Sequence, residues 1–292
     1  MSTFDQEKIV CVVTGGSQGI GRAIVQALLE QDNRTVVYSL DRCEPLFSPL
    51  ADDTGVGGES FTLTQAQQSS RFIHLSTDVS DTKAYTSLLE EIFDQQGNQL
   101  DCLVQNAGIF ETKENHNVLW DDATTHEQVD DMLNTNFASV VHGTRTAVKL
   151  MKRQQEEQLS NDKQDKGTTT SKKTIINIAS TAALAPFPQH PVYCSTKAAV
   201  LQFTQTASID LQSHGFRVLP ICPGIIDTAM GRMGGARNEQ AVAALKGGKR
   251  TSPRLVAQVV ADWTLQTNPP EWNQCAYILV DNHKILPMFS KE

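Results

Sequence analysis

Short runs of β-branched and other apolar residues recur along the chain, and stretches with apolar residues at helical spacing lie between them. Runs without polar alternation are typical of strands buried on both faces of a parallel sheet. The alternation predicts an α/β fold with a doubly wound parallel sheet of about seven strands and helices on both faces. Strands are expected at 8–14, 35–40, 71–76, 100–105, 174–180, 215–221 and 275–280.

The helical stretches and the polar segments complete this plan. Helices are expected at about 22–30, from near Asp81, at about 124–151, at 191–214 and from Ser252 onward. Asparagine is a poor residue within a helix, so Asn136 either turns its amide outward or marks a local distortion. Two polar surface insertions are expected near 43–70 and 152–173, and a glycine-rich substrate lid near 229–250. No internal repeat is visible, so residues 1–292 are interpreted as one domain.

Composition narrows the classes of function. A net charge of −8 over 292 residues, with no basic patch, disfavours binding to nucleic acid or to anionic membranes. No apolar run approaches the roughly 18 residues of a membrane span, and the first residues lack the pattern of a secretory signal. Scattered cysteines without grouped histidines argue against a metal site. We therefore expect a soluble, cytoplasmic protein without a bound metal.

A glycine-rich loop follows the first strand and leads into a helix. Glycines at this spacing permit a tight turn, close approach of the backbone to a pyrophosphate, and close packing of helix on strand. The exposed N–H groups and the positive dipole end of the helix favour phosphate. The loop predicts a dinucleotide site that includes Gly15, Ser17, Gln18, Gly19, Ile20 and Gly21.

Two neighbouring residues at the end of the second strand bear on the choice of dinucleotide. The carboxylate of Asp41, placed to accept hydrogen bonds from both ribose hydroxyls, repels a 2′-phosphate and favours NAD(H). The guanidinium of Arg42 is suited to a 2′-phosphate and leaves NADP(H) possible. We favour NAD(H), because Asp41 has to be moved or neutralised before the phosphate fits.

Three further segments at strand ends are candidates for cofactor contacts. Asp78, next to Val79, either meets the adenine amino group or caps the following helix. The small residues of Asn106-Ala107-Gly108 let a cofactor pass close to the backbone. The turn from Pro223 to Thr228 is a candidate for holding a carboxamide, and its candidate contact residues are Pro223, Gly224, Ile226 and Thr228.

The candidate chemistry lies between Ser180 and Lys197. Tyr193 and Lys197, four residues apart on a predicted helix, share one helical face. A nearby ammonium favours ionisation of the phenol, which makes Tyr193 a candidate general acid or base. Ser180 ends a buried strand, so its hydroxyl is expected at the carboxyl edge of the sheet, where ligands bind in such folds.

Together these motifs resemble the short-chain dehydrogenase/reductase family. The match comprises T-G-x-x-x-G-x-G at 14–21, N-A-G at 106–108, Asn136, Ser180 with Y-x-x-x-K at 193–197, and P-G-x-x-x-T at 223–228. Gln105 departs from the family, which often has a second asparagine there. The segment 223–230 and the C-terminal tail are more weakly similar to the benzil-reductase and sepiapterin-reductase branch, which generally uses NADPH.

The resemblance implies a Rossmann fold and assigns a role to each catalytic residue. Tyr193 would transfer a proton to or from the substrate oxygen as hydride passes from or to nicotinamide C4. Lys197 would bind the nicotinamide ribose and lower the pKa of Tyr193, and Ser180 would orient the substrate oxygen. Asn136 would hold a water that links Lys197 to solvent. The resemblance also implies a homodimer or homotetramer.

The sequence thus predicts an NAD(P)-dependent oxidoreductase acting on a small-molecule carbonyl compound or secondary alcohol. The alternative is a non-catalytic dinucleotide-binding sensor or scaffold on the same fold. The presence of Asn136, Ser180, Tyr193 and Lys197 favours the enzyme. Phe187, Pro188, His190 and the segment after Met230 are expected to line the pocket, and their character suggests a partly apolar substrate.

Overall fold

A computed structural model of the chain describes residues 8–45, 69–111, 125–161, 173–187, 190–233, 243, 250–265, 277–281 and 284–287. Most of the predicted insertions near 43–70 and 152–173, most of the predicted lid, and Pro188 lie outside the described residues.

The strands form one sheet, and the strand order is β3-β2-β1-β4-β5-β6-β7-β8. Strands β1 to β7 run parallel, and β8 pairs antiparallel with β7. This order, which runs outward in both directions from β1 and β4, confirms the predicted doubly wound α/β fold. The strands are β1 (Ile9–Thr14), β2 (Thr35–Asp41), β3 (Phe72–Ser76), β4 (Cys102–Gln105), β5 (Lys173–Ile178), β6 (Phe216–Pro223), β7 (Tyr277–Asp281) and β8 (Lys284–Pro287).

Helices cover both faces of the sheet, as predicted. The helices are α1 (Gly19–Gln31), α2 (Thr82–Gln95), α3 (His126–Leu133), α4 (Ser139–Asn161), α5 (Pro191–Gln212), α6 (Ala229–Arg232) and α7 (Pro253–Thr264). Helices α1 and α7 pack together in one apolar core, while α2 and α4 pack in another. None of the described helices has both the length and the apolar character needed to span a lipid bilayer.

The structure differs from the predicted elements at several places. Helix α1 begins three residues before Arg22, because its first turn includes the glycines of the loop. The predicted helix at 124–151 is divided by a π-helical turn at Asn134–Ala138, so Asn136 does mark a distortion. Lys173, expected in a polar insertion, is the buried first residue of β5. The antiparallel strand β8 is an addition to the predicted sheet.

The carboxyl ends of the parallel strands bring the predicted site residues to one edge of the sheet. Strand β1 ends at Thr14, directly before the glycine loop, and β2 ends at Asp41. Strand β4 leads into the N-A-G segment, and β5 ends two residues before Ser180. The sheet therefore collects the glycine loop, Asp41 and the serine at the position where open α/β sheets bind ligands.

Candidate active site

The glycine loop is held tightly against the segment that follows β4. Gly15 and Gly19 have positive φ angles of 65° and 56°, which glycine adopts at little cost. A Cβ at Gly15 would lie 2.9 Å from Cα of Ala107, and a Cβ at Gly21 would clash with the carbonyl of Gly15. Gly15 and Gly21 leave no room for a Cβ, and the positive φ angle of Gly19 favours glycine there, so the loop depends on all three glycines.

The first turn of α1 presents its backbone N–H groups at this edge of the sheet. Its N-cap residue, Gln18, is exposed, and the Gln18 side chain makes no capping hydrogen bond. Ser17 is fully buried, and its hydroxyl donates to the carbonyl of Cys43 at 2.6 Å. A glycine-rich loop, followed by a helix start with no side-chain cap, fits a dinucleotide pyrophosphate.

Asp41 and Arg42 have separate partners. The Asp41 carboxylate accepts the backbone N–H of Ser17 at 3.0 Å and that of Cys43 at 3.1 Å. Arg42, whose side chain is 61% exposed, pairs instead with Asp78 at 3.3 Å. Asp41 is therefore fixed beside the glycine loop, whereas the guanidinium of Arg42 lies against another carboxylate.

Asp78 does not cap the next helix, so that alternative is wrong. Asp81 caps α2 by accepting the N–H groups of Lys83 and Ala84. Asp78 accepts instead the N–H and hydroxyl of Ser80. Burial raises the pKa of Asp78, but the hydrogen bonds from Ser80 and the charge of Arg42 outweigh burial, and the pKa lies below its ordinary value. Val79 points into the apolar core.

The N-A-G segment is tied to β1 by side-chain hydrogen bonds. The Thr14 hydroxyl accepts the backbone N–H groups of Asn106 and Ala107, each at 3.1 Å. The Asn106 amide donates to the carbonyls of Thr14 and Gly15. These bonds fix the glycine loop and the N-A-G segment as one rigid surface.

Gln105, the departure from the family pattern, joins several elements through its side-chain amide. Its nitrogen donates to the Val140 carbonyl, the Thr144 hydroxyl and Oδ1 of Asn177, at 3.0, 2.9 and 3.0 Å. Its oxygen accepts the hydroxyl of Tyr85 at 3.2 Å. Because every partner is buried, Gln105 stabilises the packing of α2 and α4 on the sheet behind the site.

Ser180, Tyr193 and Lys197 meet at the end of β5. The Ser180 hydroxyl accepts the N–H of Ala182 at 3.1 Å, and its interaction with the Tyr193 phenol acts to lower the phenol pKa. Nζ of Lys197 donates to the Ile178 carbonyl at 2.9 Å and lies 5.8 Å from the centroid of the Tyr193 ring. The three side chains that the sequence singled out therefore form one cluster.

Asn136 completes this cluster from the π-helical turn. Its fully buried amide accepts the N–H of Ile109 at 2.8 Å and donates to the Ile109 carbonyl and the Thr196 hydroxyl. A Cβ at Gly108 would lie 3.3 Å from Oδ1 of Asn136 and 3.4 Å from Nζ of Lys197. Both polar atoms thus converge on the N-A-G segment.

The pKa values of Tyr193 and Lys197 differ from the sequence-based expectation. Burial raises the pKa of Tyr193 to about 12, against the hydrogen bond with Ser180, which lowers it. Burial also lowers the pKa of Lys197 to about 8. Desolvation is the larger effect, so the pKa of the Tyr193 phenol lies above its ordinary value, whereas the sequence led us to expect a lowered one.

An aromatic wall of Phe110, His190 and Phe187 lies beside Tyr193, and Phe110 was not predicted from the sequence. The His190 ring stacks between Phe110 and Phe187, with centroid separations of 4.0 and 4.9 Å. Phe110 also meets Tyr193 edge to face at 5.1 Å. Glu111 contacts His190 and the backbone of Tyr193. No local signal marks Phe110 or Glu111, because their partners lie about 80 residues later in the chain.

The segment after β6 borders the glycine loop at the carboxyl edge of the sheet. Pro223 ends β6, and Gly224 follows it directly. The Thr228 hydroxyl caps the short helix α6 by accepting the N–H of Gly231 at 3.1 Å. A Cβ at Gly19 would lie 3.4 Å from Cγ2 of Thr228, so this segment borders the glycine loop. Ile226 turns its side chain into the core.

Comparison with known sequences agrees with this architecture. The sequence model described as short chain dehydrogenase matches residues 9–239. The 15-hydroxyprostaglandin dehydrogenase (NAD(+)) of Rattus norvegicus is 30% identical over 75% of this chain and 68% of its own length. A benzil reductase ((S)-benzoin forming) of Saccharomyces cerevisiae is 25% identical over 76% of this chain and 73% of its own.

Solved structures share the fold at lower identity. A 3-oxoacyl-(acyl-carrier protein) reductase from Brucella melitensis, in complex with NAD, superposes with a TM-score of 0.70 at 23% identity. The superposition covers 95% of this chain and 97% of that chain. A short chain dehydrogenase from Burkholderia cenocepacia, in complex with NADP, gives 0.67 at 22% identity, over 94% and 97%.

Proposed function

Since this chain belongs to the short-chain dehydrogenase/reductase family, we propose that it is an NAD(P)-dependent oxidoreductase that interconverts a carbonyl compound and a secondary alcohol. The observation that carries the proposal is the cluster of Ser180, Tyr193 and Lys197 at the same sheet edge as the glycine loop. The bound dinucleotide supplies the hydride donor or acceptor. The residues of the chain bind and orient the reactants and move the proton.

Tyr193 is the proposed general acid in carbonyl reduction. With a pKa of about 12 the phenol keeps its proton at neutral pH and donates it to the carbonyl oxygen. Ser180 orients that oxygen and donates a hydrogen bond as negative charge develops. The ammonium of Lys197 stabilises the phenolate that forms, and Asn136 positions the segment that carries Gly108 beside it.

The aromatic wall supports a partly apolar substrate. Phe110 meets the ring of the phenol that handles the substrate oxygen, and His190 and Phe187 stack in turn behind Phe110. A substrate with an apolar or aromatic group beside its carbonyl gains contact area on these rings. We therefore propose a medium-sized, partly apolar ketone, diketone or aldehyde as the substrate class.

The proposed function is tested by replacing only the phenol oxygen. We expect Tyr193→Phe to abolish oxidation of NADH or NADPH with a panel of ketones, diketones and aldehydes, because it removes the transferable proton. Cofactor affinity, measured by fluorescence titration, should stay near that of the wild type.

The matched control is Tyr38→Phe, which removes a phenol that bonds to Gln96 on another part of the molecule. This variant should keep full activity. Near-wild-type kcat in Tyr193→Phe would show that the assignment of Tyr193 is wrong. Cofactor binding by the wild type with no turnover across the panel would favour the sensor alternative.

We propose NAD(H) as the preferred cofactor. A 2′-phosphate placed beside the Asp41 carboxylate meets charge repulsion in a partly desolvated site. The carboxylate is held in place by Ser17 and Cys43, while Arg42 already pairs with Asp78. The relatives whose names specify NAD(+) support the same preference.

The preference is measured as the ratio of kcat/KM for NADH to that for NADPH with one carbonyl substrate. We expect Asp41→Ala to shift the ratio toward NADPH by about tenfold or more, equivalent to ~1.4 kcal/mol. Adding Arg42→Ala to that variant should reverse part of the gain. A wild-type ratio that favours NADPH tenfold would contradict the proposal.

A further inference from the structure

The carboxylate of Glu111 contacts the first turn of α5 with both of its oxygens. Oε1 accepts the backbone N–H of Tyr193 at 3.1 Å, and Oε2 lies 3.2 Å from Nδ1 of His190. Because a carboxylate only accepts hydrogen bonds, Nδ1 of His190 is the donor in the second contact. The side chain of Glu111 is only 8% exposed, and that of His190 only 10%.

The start of α5 has no cap of its own. His190 occupies the N-cap position without a side-chain capping bond, and Pro191, which has no N–H, opens the helix. The Tyr193 N–H, one of the donors that a helix start leaves unpaired, therefore has its acceptor 82 residues away in sequence. A carboxylate at this end also interacts favourably with the helix dipole.

The same carboxylate restrains the rings around the phenol. Glu111 holds His190, which is stacked between Phe110 and Phe187. Phe110, the residue directly before Glu111, meets the Tyr193 ring edge to face. One acidic side chain thus contacts the backbone of Tyr193 and fixes the stack that bounds its side chain.

We propose that Glu111 is a positioning residue that sets the orientation of the Tyr193 phenol through both contacts. The inference rests on the proposed function, in which Tyr193 donates the proton. Proton transfer requires hydrogen-bond distance and alignment, so a small displacement of the phenol lowers the rate of the chemical step. The binding of dinucleotide, which uses the glycine loop and Asp41, does not depend on Glu111.

The first test measures kcat and the KM for the cofactor separately in each variant. Glu111→Ala should lower kcat about tenfold to a hundredfold, the range expected for a misplaced reacting group, with the KM for the cofactor unchanged. Glu111→Gln keeps an oxygen that accepts from the Tyr193 N–H and should restore most of kcat. Glu157→Ala, which removes an exposed carboxylate on α4, is the matched control and should match the wild type.

The second test does not require activity. Hydrogen exchange of the Tyr193 amide, followed by NMR, should be faster in Glu111→Ala than in the wild type and in Glu157→Ala. The amide should remain protected in Glu111→Gln. If Glu111→Ala does not fold, Glu111→Leu, which fills the space without an acceptor, replaces it in both tests.

Two results would overturn the inference and leave the proposed function standing. One is wild-type kcat in folded Glu111→Ala or Glu111→Leu while Tyr193→Phe is inactive. The other is unchanged protection of the Tyr193 amide in those variants. Full turnover by Tyr193→Phe would instead overturn the proposed function itself.

Discussion

Burial acts in opposite directions on the pKa values of the two titratable residues at the centre of the site. It raises the pKa of the Tyr193 phenol to about 12 and lowers that of the Lys197 ammonium to about 8. Both shifts have one cause, because a desolvated site disfavours phenolate and ammonium alike. The phenol is therefore protonated throughout the physiological pH range, whereas Lys197 loses its charge near pH 8, at the upper limit of that range.

This difference predicts the pH dependence of carbonyl reduction. Lys197 is charged below its pKa of about 8 and neutral above it, while Tyr193 remains protonated until about 12. Without the ammonium, the phenolate formed by proton donation is less stable. We expect kcat/KM for reduction to fall as the pH rises above about 8.

The profile is measured with saturating cofactor and a non-ionisable ketone. Lys197→Arg supplies a cation that keeps its proton to above about pH 12, so the remaining activity should show no fall near the pKa of Lys197. A wild-type profile that is flat to about pH 10, close to the ordinary lysine pKa, would contradict the assignment.

The sequence located Ser180, Tyr193 and Lys197 because their roles follow from spacing along a strand end and one helix. It did not locate Glu111, whose partners are brought to it only by the fold. The pKa of Tyr193 was mispredicted for a related reason. Helical spacing places an ammonium near the phenol but does not give the extent of burial, which decides the direction of the shift.

At the level of helices and strands, the predictions succeeded where the signal is local. The buried apolar runs of β1 and β5 carry no polar alternation, and Ser252 with Pro253 marks the start of α7 as a serine cap followed by proline at the first helical position. Asp41 ends β2 as expected. These features depend on neighbours within a few residues.

The remaining differences come from tertiary contacts. The π-helical turn at Asn134–Ala138 lets the Asn136 amide bond to Ile109 and Thr196, partners in other segments. Lys173 is a charged residue that the sequence places in a surface insertion, but it lies buried in β5 because Asp101 supplies its counter-charge. Neither partner follows from local residue patterns.

For the molecule as a whole, the edge of the sheet opposite the site depends on a buried ion pair. Asp101 pairs with Lys173, and it also accepts the backbone N–H of Val10 at 2.9 Å and the Gln99 amide at 2.8 Å. One carboxylate thus joins β1 and β5 to the start of β4. Removing its charge leaves a buried ammonium without compensation.

We expect Asp101→Asn to lower the free energy of unfolding by about 3–5 kcal/mol, measured by urea denaturation. Adding Lys173→Met should recover part of this loss, because the ammonium is then gone. Asp94→Asn, which breaks the exposed pair with Arg153, is the control and should cost about 1 kcal/mol or less. Equal losses at Asp101 and Asp94 would contradict the special role of the buried pair.

Three statements about the whole protein stay predictions: the single domain with its polar insertions and lid, the cytoplasmic location, and assembly as a homodimer or homotetramer. The segments 46–68, 112–124 and 162–172 lie outside the described residues. Static light scattering of the purified chain measures the assembly directly.

The hydrogen bonds of Gln105 with its buried neighbours make the cost of one substitution depend on which others are already present. A Cβ at Gly143 would clash with Oε1 of Gln105 and lie 2.6 Å from the Tyr85 hydroxyl. Alanine in a helix is otherwise favoured over glycine by about 1 kcal/mol. Alanine at position 143 should therefore be tolerated without cost only where the side chains at 85 and 105 are shorter.

This dependence can be measured with three substitutions. Gly143→Ala should cost about 1–3 kcal/mol of unfolding free energy in the wild type, the usual range for an overpacked core. In the Tyr85→Leu/Gln105→Asn background, which also removes the Tyr85 ring carbon that lies 2.8 Å from this Cβ, the same change should be neutral or stabilising. Equal costs in both backgrounds would mean that α4 moves aside, and the three positions would then be free to change in any order.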